Sequence, residues 1–537
     1  MNDWIYDIET YPNIFSAGFM NVTTKESWVF EISSRKNQIT HLVQFLRRLY
    51  KEKARLVGFN NIGFDYPVLH YILKNQDCSV FSIYKKAMSL IEASEDDKFK
   101  NLIKEEERML PQIDLYKIHH FDNKARATSL KVIEFNMRSE SIEDLPFDVG
   151  KNLTSTQMDT LIKYMQHDIK ETYKFYLKTI PMISFREELS VKYSKNFLNH
   201  NDTKIGKDYL IMRLEETNPG CCYKVDAHGR RKIQQTRRKY IDLKDCIFPY
   251  VNFEREEFKA VLNWFKSQRI TETKGVFTDL LEHKLGDVAK YAVLVKKQKK
   301  LKSEPSEKEI AQFKKEMPLC WVEERLLKSK KTSWYLCWNI AETLNVQVDG
   351  FRFDFGTGGI HGSLTATIVE SDEDNEIVDA DVSSMYPNLA ISNRIYPEHL
   401  GETFCTIYKE MYIQRKGYAK GSAENAMLKL ALNGSYGDSN SEFSPLYDPK
   451  FTMSITVNGQ LSLCMLAERL LQVEGLKLIQ VNTDGVTVKL PRDKRDQYNA
   501  ICKQWEKDVK LDLEYADYSK MIIRDVNSYV AVYAENK

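Results

Sequence analysis

The most restrictive feature of this chain is a pair of carboxylates two positions apart in a strand-forming segment. The segment WIYDIETYPNIFSAGF (4–19) alternates apolar and polar residues and reverses through Pro12 and Asn13, which predicts two strands. Both side chains of Asp7 and Glu9 therefore emerge on the same face of the first strand. Adjacent carboxylates repel and raise each other's pKa unless a cation neutralises them. The segment favours a divalent cation, magnesium or manganese, beside this strand.

A second acidic site is indicated in the C-terminal part of the sequence. LIQVNTDGVTVKL (478–490) has apolar residues on both sides of the letters NTDG, and Asp-Gly between such runs marks a tight β-hairpin. Asp484 at its mouth is either a turn residue in water or half of a metal site. Another acid, Asp381, lies in the segment EIVDADVSSMYPNLAI (376–391), where a position near a turn is enough to explain it. The segment predicts a strand with Asp381 at its end, a turn at 386–387 and then a helix.

Length and composition exclude several classes of protein. A chain of 537 residues is too long for one core and predicts about three domains. Hydrophobic residues make up 42% and charged residues 29%, as in ordinary globular proteins. No apolar run approaches the roughly 18 residues of a membrane span, and the first residues show no secretory signal. Nine cysteines without a CxxC spacing argue against structural zinc and favour reduced thiols in a cytoplasm.

Binding to nucleic acid has to be argued from local patches, because the net charge is only +2. The most basic stretches are HGRRKIQQTRRKY (228–240) and KKQKKLKSEPSEKE (296–309). A solvated surface explains either stretch equally well. The first is the more suggestive, because Tyr223 and Tyr240 lie near its arginines, where they would stack or orient on a phosphate backbone.

Further acidic residues follow the N-terminal pair. GFNNIGFDYPVLHYIL (58–73) predicts a loop that enters an amphipathic helix, with Asp65 near its start. YMQHDIKETYKFY (164–176) predicts a helix that places Tyr164 and Asp168 one turn apart on one face. Taken alone, Asp65 is explained as a residue that caps a helix, and Tyr164 as an aromatic residue of the core.

Together these pieces resemble the 3′–5′ exonuclease domain of DNA polymerases, in the form with four acidic residues and a tyrosine. The resemblance implies that Asp7 bridges two Mg²⁺ or Mn²⁺ ions and that Tyr164 orients the attacking water. It assigns the remaining metal ligands to three acidic residues: Glu9, Asp65 and Asp168. It assigns contacts with single-stranded DNA to three further residues: Asn60, Ser129 and Leu130.

A later part of the chain resembles the family B DNA polymerases. DVSSMYP (381–387) resembles their first palm motif, KLALNGSYG (429–437) the fingers motif, and FGTGGIHGS (355–363) the Gly-rich element between exonuclease and polymerase. Asp484 resembles the second aspartate of the family's Asp-Thr-Asp hairpin, with Asp381 as its partner. The resemblance implies that this pair holds two Mg²⁺ ions that bind the triphosphate and activate the primer 3′-OH.

The same resemblance implies roles for further residues. Lys429 would neutralise charge on the leaving pyrophosphate. Tyr386 would lie under the sugar and leave no room for a 2′-OH, which favours deoxynucleotides. Other dNTP contacts are expected from Ser384, Asn433, Arg415, Lys416 and Lys420, and the sequence does not choose among the three basic residues. Contacts with DNA are expected from Gly358, Gly359, Tyr436, Gly437 and Tyr529.

Three positions depart from the family pattern. The first aspartate of the hairpin is replaced by Asn482, Gly485 stands where the family usually has serine, and Asn527 replaces the lysine of the primer-binding strand. In the family the second aspartate is the principal metal ligand. We therefore expect polymerase activity to survive.

The expected fold class is a multidomain α/β and α+β chain, with an RNase H-like exonuclease domain followed by a right-hand polymerase palm and fingers. The expected boundaries are 1–185 for the exonuclease domain, 186–345 for a mostly helical basic connection, 346–403 and 435–537 for the palm, and 404–434 for the fingers. Family B places its thumb after the last palm strand, where few residues remain here. We therefore expect the connection to grip duplex DNA as a thumb does, the alternative being a thumb on a separate chain.

The expected function is a template-directed DNA polymerase with 3′–5′ proofreading, holding two Mg²⁺ or Mn²⁺ ions at each active site. Its compactness indicates, by analogy, a phage or mobile-element replicase in the cytoplasm of a bacterial host. The expected partners are primer–template DNA, dNTPs and replication accessory proteins or a separate thumb or processivity subunit, with no membrane. One rival is a dedicated 3′–5′ exonuclease with a degenerate polymerase half, motivated by Asn482 and Asn527. Two further rivals are a non-catalytic scaffold that binds primer–template DNA and a primase-like enzyme. Tyr386 argues against the primase-like enzyme, because it disfavours ribonucleotides.

Overall fold

The structure, a computed structural model, describes residues 2–94, 97, 99–123, 126–326 and 332–534. The chain forms two compact units, 1–205 with 421–423 and 206–420 with 424–537. Within the described ranges, no helix is both long and apolar enough to cross a membrane.

The first unit is a five-stranded sheet with helices. Its strands are β1 (Asp3–Tyr11), β2 (Ile14–Asn21), β3 (Ser27–Ser33), β4 (Arg55–Gly58) and β5 (Gln112–Asp114). Its helices are α1 (Ile39–Lys51), α2 (Asp65–Lys74), α3 (Val80–Ile91), α4 (Leu115–Ile118), α5 (Leu130–Met137) and α6 (Ser155–Lys192). The sheet order is β3-β2-β1-β4-β5; β1, β4 and β5 are parallel, whereas β2 is antiparallel to both of its neighbours.

The central strand β1 is covered on both faces. Trp4 and Tyr6 pack in one core with Phe19, while Ile5 packs in a second core with residues of α6 such as Met165. This is the burial expected of a central strand, where successive side chains point to opposite faces. The long helix α6 begins with a capping box, in which the Thr154 and Gln157 side chains bond each other's backbone amides.

The second unit is built on a large sheet. Its strands are β6 (Tyr223–Val225), β7 (Arg231–Ile233), β8 (Ile241–Asp242), β9 (Arg269–Ile270), β10 (Thr278–Leu281), β11 (Val295–Lys300), β12 (Trp321–Leu326), β13 (Thr332–Val348), β14 (Phe351–Phe355), β15 (Ile360–Ser363), β16 (Thr367–Glu370), β17 (Asn375–Val382), β18 (Lys477–Asn482), β19 (Gly485–Pro491), β20 (Leu513–Asp525) and β21 (Ser528–Tyr533). Its helices are most of α7 (Asp202–Thr217), then α8 (Glu256–Ser267), α9 (Glu307–Glu316), α10 (Met385–Asn393), α11 (Thr403–Gly417), α12 (Ala423–Asp438), α13 (Pro449–Leu470) and α14 (Arg495–Val509).

Twelve strands of this unit join in one sheet. Its main path is β10-β13-β14-β15-β18-β19-β17-β20-β16, with β11 and β12 also paired with β13 and with β21 paired with β20. The strand β17 lies between β19 and β20 and is antiparallel to both. Helix α13 is buried along nearly its whole length. The sheet therefore presents the end of β17 beside the β18–β19 hairpin.

Several expected elements are present and two turns are corrected. The strand pairs at 4–19 and 478–490 are confirmed, and the helix expected at 164–176 lies within α6. The hairpin turn consists of Thr483 and Asp484, because the following glycine already pairs within the strands. The turn expected at 386–387 was wrong.

The actual turn after β17 lies two residues earlier. Ser384 adopts a left-handed backbone conformation with φ 46°, and Tyr386 and Pro387 lie in the first turn of α10. Proline is tolerated there because its missing amide has no intrahelical partner in that turn.

The expectation of a mostly helical connection at 186–345 was also wrong. After α7, the described residues of this region hold two helices, α8 and α9, among short strands. From 278 onward, β10 to β13 extend the same sheet that carries β17. The physical reason lies in β13, whose seventeen residues are rich in β-branched and aromatic side chains, which favour strands.

Candidate functional site

Three acidic side chains meet in the first unit. Asp7 and Glu9 project from β1 and Asp168 from α6, and their carboxylate oxygens lie within 4.8 Å of one another. All three residues are partly buried. The strand and the helix together thus concentrate negative charge at one point.

A glycine allows the helix to approach the strand. Gly18 on β2 pairs with Asp7, and a Cβ atom at this position would lie 2.4 Å from Ile169 Cδ1 and 2.9 Å from Met165 Cε. Such distances are far below van der Waals contact. A side chain at Gly18 would force these two side chains of α6, the helix that carries Asp168, to shift.

Charge crowding shifts the titration of these groups. Burial, followed by the charges of Asp65 and Glu9, holds the pKa of the Asp7 carboxyl well above its usual range. Burial also raises the pKa of Asp65 to about 7 and that of Asp168 to about 6. Asp65, at the start of α2, does not share the 4.8 Å cluster, but its charge acts on Asp7.

The cluster fits a divalent cation. Among the described residues, the buried Oδ2 atom of Asp7 has no hydrogen-bond partner, which is costly for a carboxylate oxygen. The donors of Asp7, Glu9 and Asp168 are all oxygens, the ligands that Mg²⁺ and Mn²⁺ prefer. A cation here would neutralise the repulsion between the carboxylates and would give the unpaired Asp7 oxygen a partner.

A tyrosine and a lysine border the cluster. The Tyr164 hydroxyl lowers the pKa of Asp168 by donating a hydrogen bond, and burial raises the pKa of the tyrosine itself. Lys131 Nζ donates to Tyr164 Oη at 3.2 Å. Burial and the charge of Asp168 hold the pKa of Glu9 well above its usual range, and the Lys131 charge only partly offsets this rise. Sequence reasoning missed Lys131, although it directly follows the two residues assigned to DNA contact.

The residues expected to contact single-stranded DNA lie on two segments of this unit. Asn60 is exposed in a left-handed conformation, φ 62°, in the loop before α2. Buried Asp114 holds that loop by accepting from the amides of Asn60 at 2.9 Å and Ile62 at 3.1 Å. Ser129 caps α5 by accepting from the Val132 amide, and Leu130 is the first residue of that helix.

A second acidic group lies in the second unit. Asp381 and Asp484 are exposed, and together with Asp379 they line a cavity of about 340 Å³. Desolvation, followed by the charges of Asp379 and Asp484, raises the pKa of Asp381 to about 7. Desolvation also raises the pKa of Asp484. The cavity therefore concentrates negative charge at the end of β17, and its oxygen donors suit Mg²⁺ or Mn²⁺.

Asp379 differs from its two neighbours. It is buried, and both of its oxygens accept hydrogen bonds, from Thr487 at 2.6 Å and Tyr518 at 3.3 Å. Those bonds leave Asp381 and Asp484 as the carboxylates that are open to a ligand. Asp379 and Asp381 are two residues apart in β17 and share a strand face, but sequence reasoning gave Asp379 no role.

The glycine after Asp484 is required by close packing. Gly485 pairs with Asp381 across β19 and β17, and a Cβ at Gly485 would lie 1.9 Å from Asp381 Oδ1. In this fold a serine at Gly485, the residue usual in the family, would displace the carboxylate.

The asparagine that departs from the family pattern also has a structural role. The amide of Asn482 donates to the Val526 carbonyl at 3.3 Å, and Gln480 donates to the same oxygen at 3.1 Å. These bonds attach the β20–β21 turn, which contains exposed Asn527, to β18. An aspartate at Asn482 could not donate. Tyr529 on β21 lines the cavity.

Two tyrosines pack against the Gly-rich element. The rings of Tyr386 and Tyr436 lie 4.5 Å apart. Tyr386 donates to the Gly358 carbonyl at 2.5 Å and Tyr436 to that of Thr357 at 2.8 Å. A Cβ at Gly359 would lie 3.1 Å from the Tyr386 hydroxyl. The structure thus brings together residues that the sequence assigned separately to nucleotide and DNA.

The basic residues expected at the nucleotide lie on α11, on α12 and between them. Arg415 donates to the Ser384 hydroxyl at 3.3 Å, and Lys416 Nζ lies 4.4 Å from the Tyr412 ring centre. Lys420 is exposed, as are three residues of α12: Lys429, Asn433 and Gly437. None of these side chains is among the described residues that line the 340 Å³ cavity.

Comparisons with known proteins bear on the first unit. Residues 10–209 match the family described as predicted 3′–5′ exonuclease related to the exonuclease domain of PolB. This segment is similar to PolB exonuclease domains. The PolB-like domain contains Asp168 and Tyr164, and its matched region begins one residue after Glu9.

A solved structure, the family B DNA polymerase from the hyperthermophilic archaeon Pyrobaculum calidifontis, is similar to the chain at 13% identity, with a TM-score of 0.46. The similarity covers 100% of this chain and 59% of that polymerase. No curated protein matches the chain.

Proposed function

We propose that the chain is a template-directed DNA polymerase that extends a primer 3′-OH with dNTPs and proofreads with its PolB-like exonuclease domain. The observation that carries the polymerase half is the 340 Å³ cavity in which Asp381 and Asp484 face solvent beside buried Asp379. Replication of phage or mobile-element DNA in a bacterial host is the proposed setting, by analogy with compact replicases.

In the exonuclease half, Asp7, Glu9 and Asp168 would hold divalent ions, with Asp65 close enough to act on Asp7 through its charge. When bound, such ions activate a water and stabilise the departing 3′ oxygen. Tyr164 would orient the water while its hydroxyl remains bonded to Asp168. Lys131, which donates to Tyr164, would position that hydroxyl.

In the polymerase half, Asp381 and Asp484 would hold the ions that bind the triphosphate and activate the primer 3′-OH. Tyr386 would lie under the sugar; its bond to the Gly358 carbonyl and its packing on Tyr436 hold the ring in one position. A fixed ring would exclude a 2′-OH. Arg415 is the basic residue best supported for triphosphate contact, because it reaches Ser384 next to α10.

The domain assignment remains part of this proposal. The order β3-β2-β1-β4-β5 supports an RNase H-like exonuclease fold. The sheet around β17 supports a palm, and the α11–α12 pair supports short fingers that present Lys429 and Asn433 on an exposed face.

For the region 186–345 we propose the duplex-gripping role of a thumb. The strand β11 carries four lysines, of which Lys299 and Lys300 are exposed, while Lys297 is paired with Glu342 at 2.9 Å. Exposed lysines that contact phosphates release counterions, so affinity then falls with added salt.

Charge substitution tests this role without removing a strand that pairs with β13. We expect Lys299→Glu with Lys300→Glu to weaken primer–template binding and to flatten its salt dependence. The matched control is Lys297→Gln, whose charge is already neutralised. Unchanged affinity and salt slope in the double variant would show that Lys299 and Lys300 do not contact the duplex and would contradict the proposed role.

Primer assays test the two active sites together. A 5′-labelled primer on a longer template is incubated with Mg²⁺, with and without dNTPs, for the wild type, Asp484→Ala and Asp7→Ala. We expect extension to be lost only in Asp484→Ala, and shortening without dNTPs to be lost only in Asp7→Ala.

The second candidate function is a dedicated 3′–5′ exonuclease with a degenerate polymerase half, motivated by Asn482 and Asn527. The hydrogen bond from Asn482 to Val526 gives that departure a structural reason other than degeneration. In the primer assay, shortening without extension at every dNTP concentration would favour this candidate.

A further inference from the structure

A histidine and a buried glutamate lie beside the exonuclease-type cluster without a role in it. Glu134 belongs to α5, and His167 precedes Asp168 on α6. Ligand atoms of Glu134, His167 and Asp168 all lie within 4.8 Å of one another. Asp168 is thus shared by two clusters, one made only of carboxylates and one that contains an imidazole.

The glutamate of this second cluster is incompletely satisfied. The Glu134 side chain is 0% exposed, and its Oε2 lies 3.3 Å from His167 Nε2. Its other oxygen, Oε1, is buried and has no hydrogen-bond partner in the part of the chain that the structure describes. A fully buried carboxylate with one unpaired oxygen is costly unless a further cation joins it.

Two distances around the histidine are compatible with a metal ligand. His167 Nε2 and Glu134 Oε2 form a hydrogen bond of 3.3 Å, and two tetrahedral ligands at about 2.0–2.1 Å from zinc are roughly 3.3 Å apart. An ion would therefore replace the shared proton without moving either side chain. Glu143 Oε1 lies 3.7 Å from His167 Nδ1, beyond hydrogen-bond distance, so it adds negative charge near the imidazole without fixing its orientation.

We propose that Glu134, His167 and Asp168 form a further cation site, selective for a first-row transition ion of the zinc class. An imidazole nitrogen favours such ions, whereas the all-oxygen cluster of Asp7, Glu9 and Asp168 suits Mg²⁺. Because Asp168 belongs to both clusters, a bound transition ion would alter Mg²⁺ binding next to it. That consequence rests on the proposed exonuclease function; the binding itself does not.

Zinc titration tests the site in the full-length chain. The Glu215, Cys221 and Cys222 side chains also lie within ligand distance of one another, so the titration is done with both cysteines replaced by serine. With excess Mg²⁺ present, we expect calorimetry to show one zinc ion bound. We expect that event to be lost in His167→Gln and retained in the matched control His41→Gln, which changes an exposed histidine of α1.

The neighbouring carboxylate gives a graded version of this test. Glu143→Gln keeps all three ligands but removes the charge near the imidazole. We expect zinc to bind only a few-fold more weakly, because Glu143 is not hydrogen-bonded to the ring. Equal zinc affinity in the parent that carries Cys221→Ser and Cys222→Ser and in the same parent with His167→Gln would overturn the proposal, and His167 would then be an ion-pair partner of Glu134 only.

A spectroscopic measurement detects the imidazole ligand directly. Cu²⁺, a transition ion that binds imidazole well, is added to the Asp7→Asn variant in the same Cys221→Ser and Cys222→Ser background and examined by electron spin-echo modulation. We expect a ¹⁴N coupling from the imidazole and its loss when His167→Gln is added. Absence of nitrogen coupling in the first variant would sink the site, even where the exonuclease assay succeeds. Nitrogen coupling in this variant together with no exonuclease activity in the wild type would uphold the site and refute the proposed function.

Discussion

In the first unit the clustered carboxylates lie between a sheet and a helix, whereas in the second they lie at an open strand end. Asp7, Glu9 and Asp168 are partly buried, and the Asp65 side chain beside them is 5% exposed. Asp381 and Asp484 are exposed. Both groups have raised pKa values, but burial is much more complete in the first.

The two sites also depend on different kinds of assembly. The first requires α6 to pack closely on β1 and β2, which Gly18 permits. The second requires correct strand register, because Gly485 must pair with Asp381 to leave space for its carboxylate. Packing errors should therefore damage the first site and register errors the second.

The largest predicted effect is on pH-dependent stability. The folded pKa of Asp65, about 7, exceeds its ordinary 3.8, so the folded chain binds more protons between these values. Stability without divalent ions should therefore fall as pH rises through this window. A pKa difference of about 3 corresponds to about 4 kcal/mol, of which about 3 kcal/mol falls above pH 5. Urea unfolding in EDTA at pH 5 and pH 8 should show the fall, and Asp65→Asn should reduce it.

The matched variant for this prediction is Asp381→Asn. The pKa of Asp381 is also raised to about 7, but its exposed carboxylate is screened by water and salt. We expect it to change the pH dependence less than Asp65→Asn does. An equal effect from both variants would show that the two sites do not differ in how burial affects stability.

The next prediction concerns helix packing. A Cβ in Gly18→Ala would meet Ile169 Cδ1 at 2.4 Å and Met165 Cε at 2.9 Å, so these two side chains of α6 must shift. We expect exonuclease activity to fall by up to about 100-fold, the cost of a misplacement of about 1 Å, while primer extension is unchanged. Adding Ile169→Val removes the closer clashing group and should restore part of the activity. Full activity in Gly18→Ala alone would show that the two side chains shift without moving Asp168.

A glycine of the second site should show the opposite selectivity. Gly485→Ala would place a Cβ 1.9 Å from Asp381 Oδ1, so we expect primer extension to fall about 10–100-fold with exonuclease activity retained. The matched control is Gly417→Ala, where a Cβ has no heavy atom within 4 Å. Normal extension by Gly485→Ala would show that the Asp381 side chain has another workable position.

The smallest predicted effect comes from restoring the family residue. Asn482→Asp loses the bond to the Val526 carbonyl at 3.3 Å and should cost about 1 kcal/mol of stability, with a few-fold drop in extension. Urea unfolding and primer extension measure the two effects. Faster extension by this variant would instead show that a second hairpin carboxylate aids the reaction more than the anchor does.

Local pattern predicted much of the acidic chemistry. Period-two alternation indicated β1, β2, β18 and β19, and the placement of acids along them indicated both carboxylate groups. Turn positions were less predictable: the reversal after β17 occurs at left-handed Ser384, not at Pro387. The letters around Pro387 resemble a turn, but the first turn of a helix accepts proline equally well.

Sequence alone determined which segments carry paired carboxylates, because the strand period places residues two apart on one face. Tertiary structure decided which of those oxygens remain available. Thr487 and Tyr518 donate hydrogen bonds to the two oxygens of Asp379, whereas Asp381 remains exposed. Helix α6 brings Asp168 close to Asp7 and Glu9. These outcomes depend on contacts between residues far apart in the chain. The alternation of residues along one segment does not encode such contacts, because side chains become closely packed only when helices and strands come together.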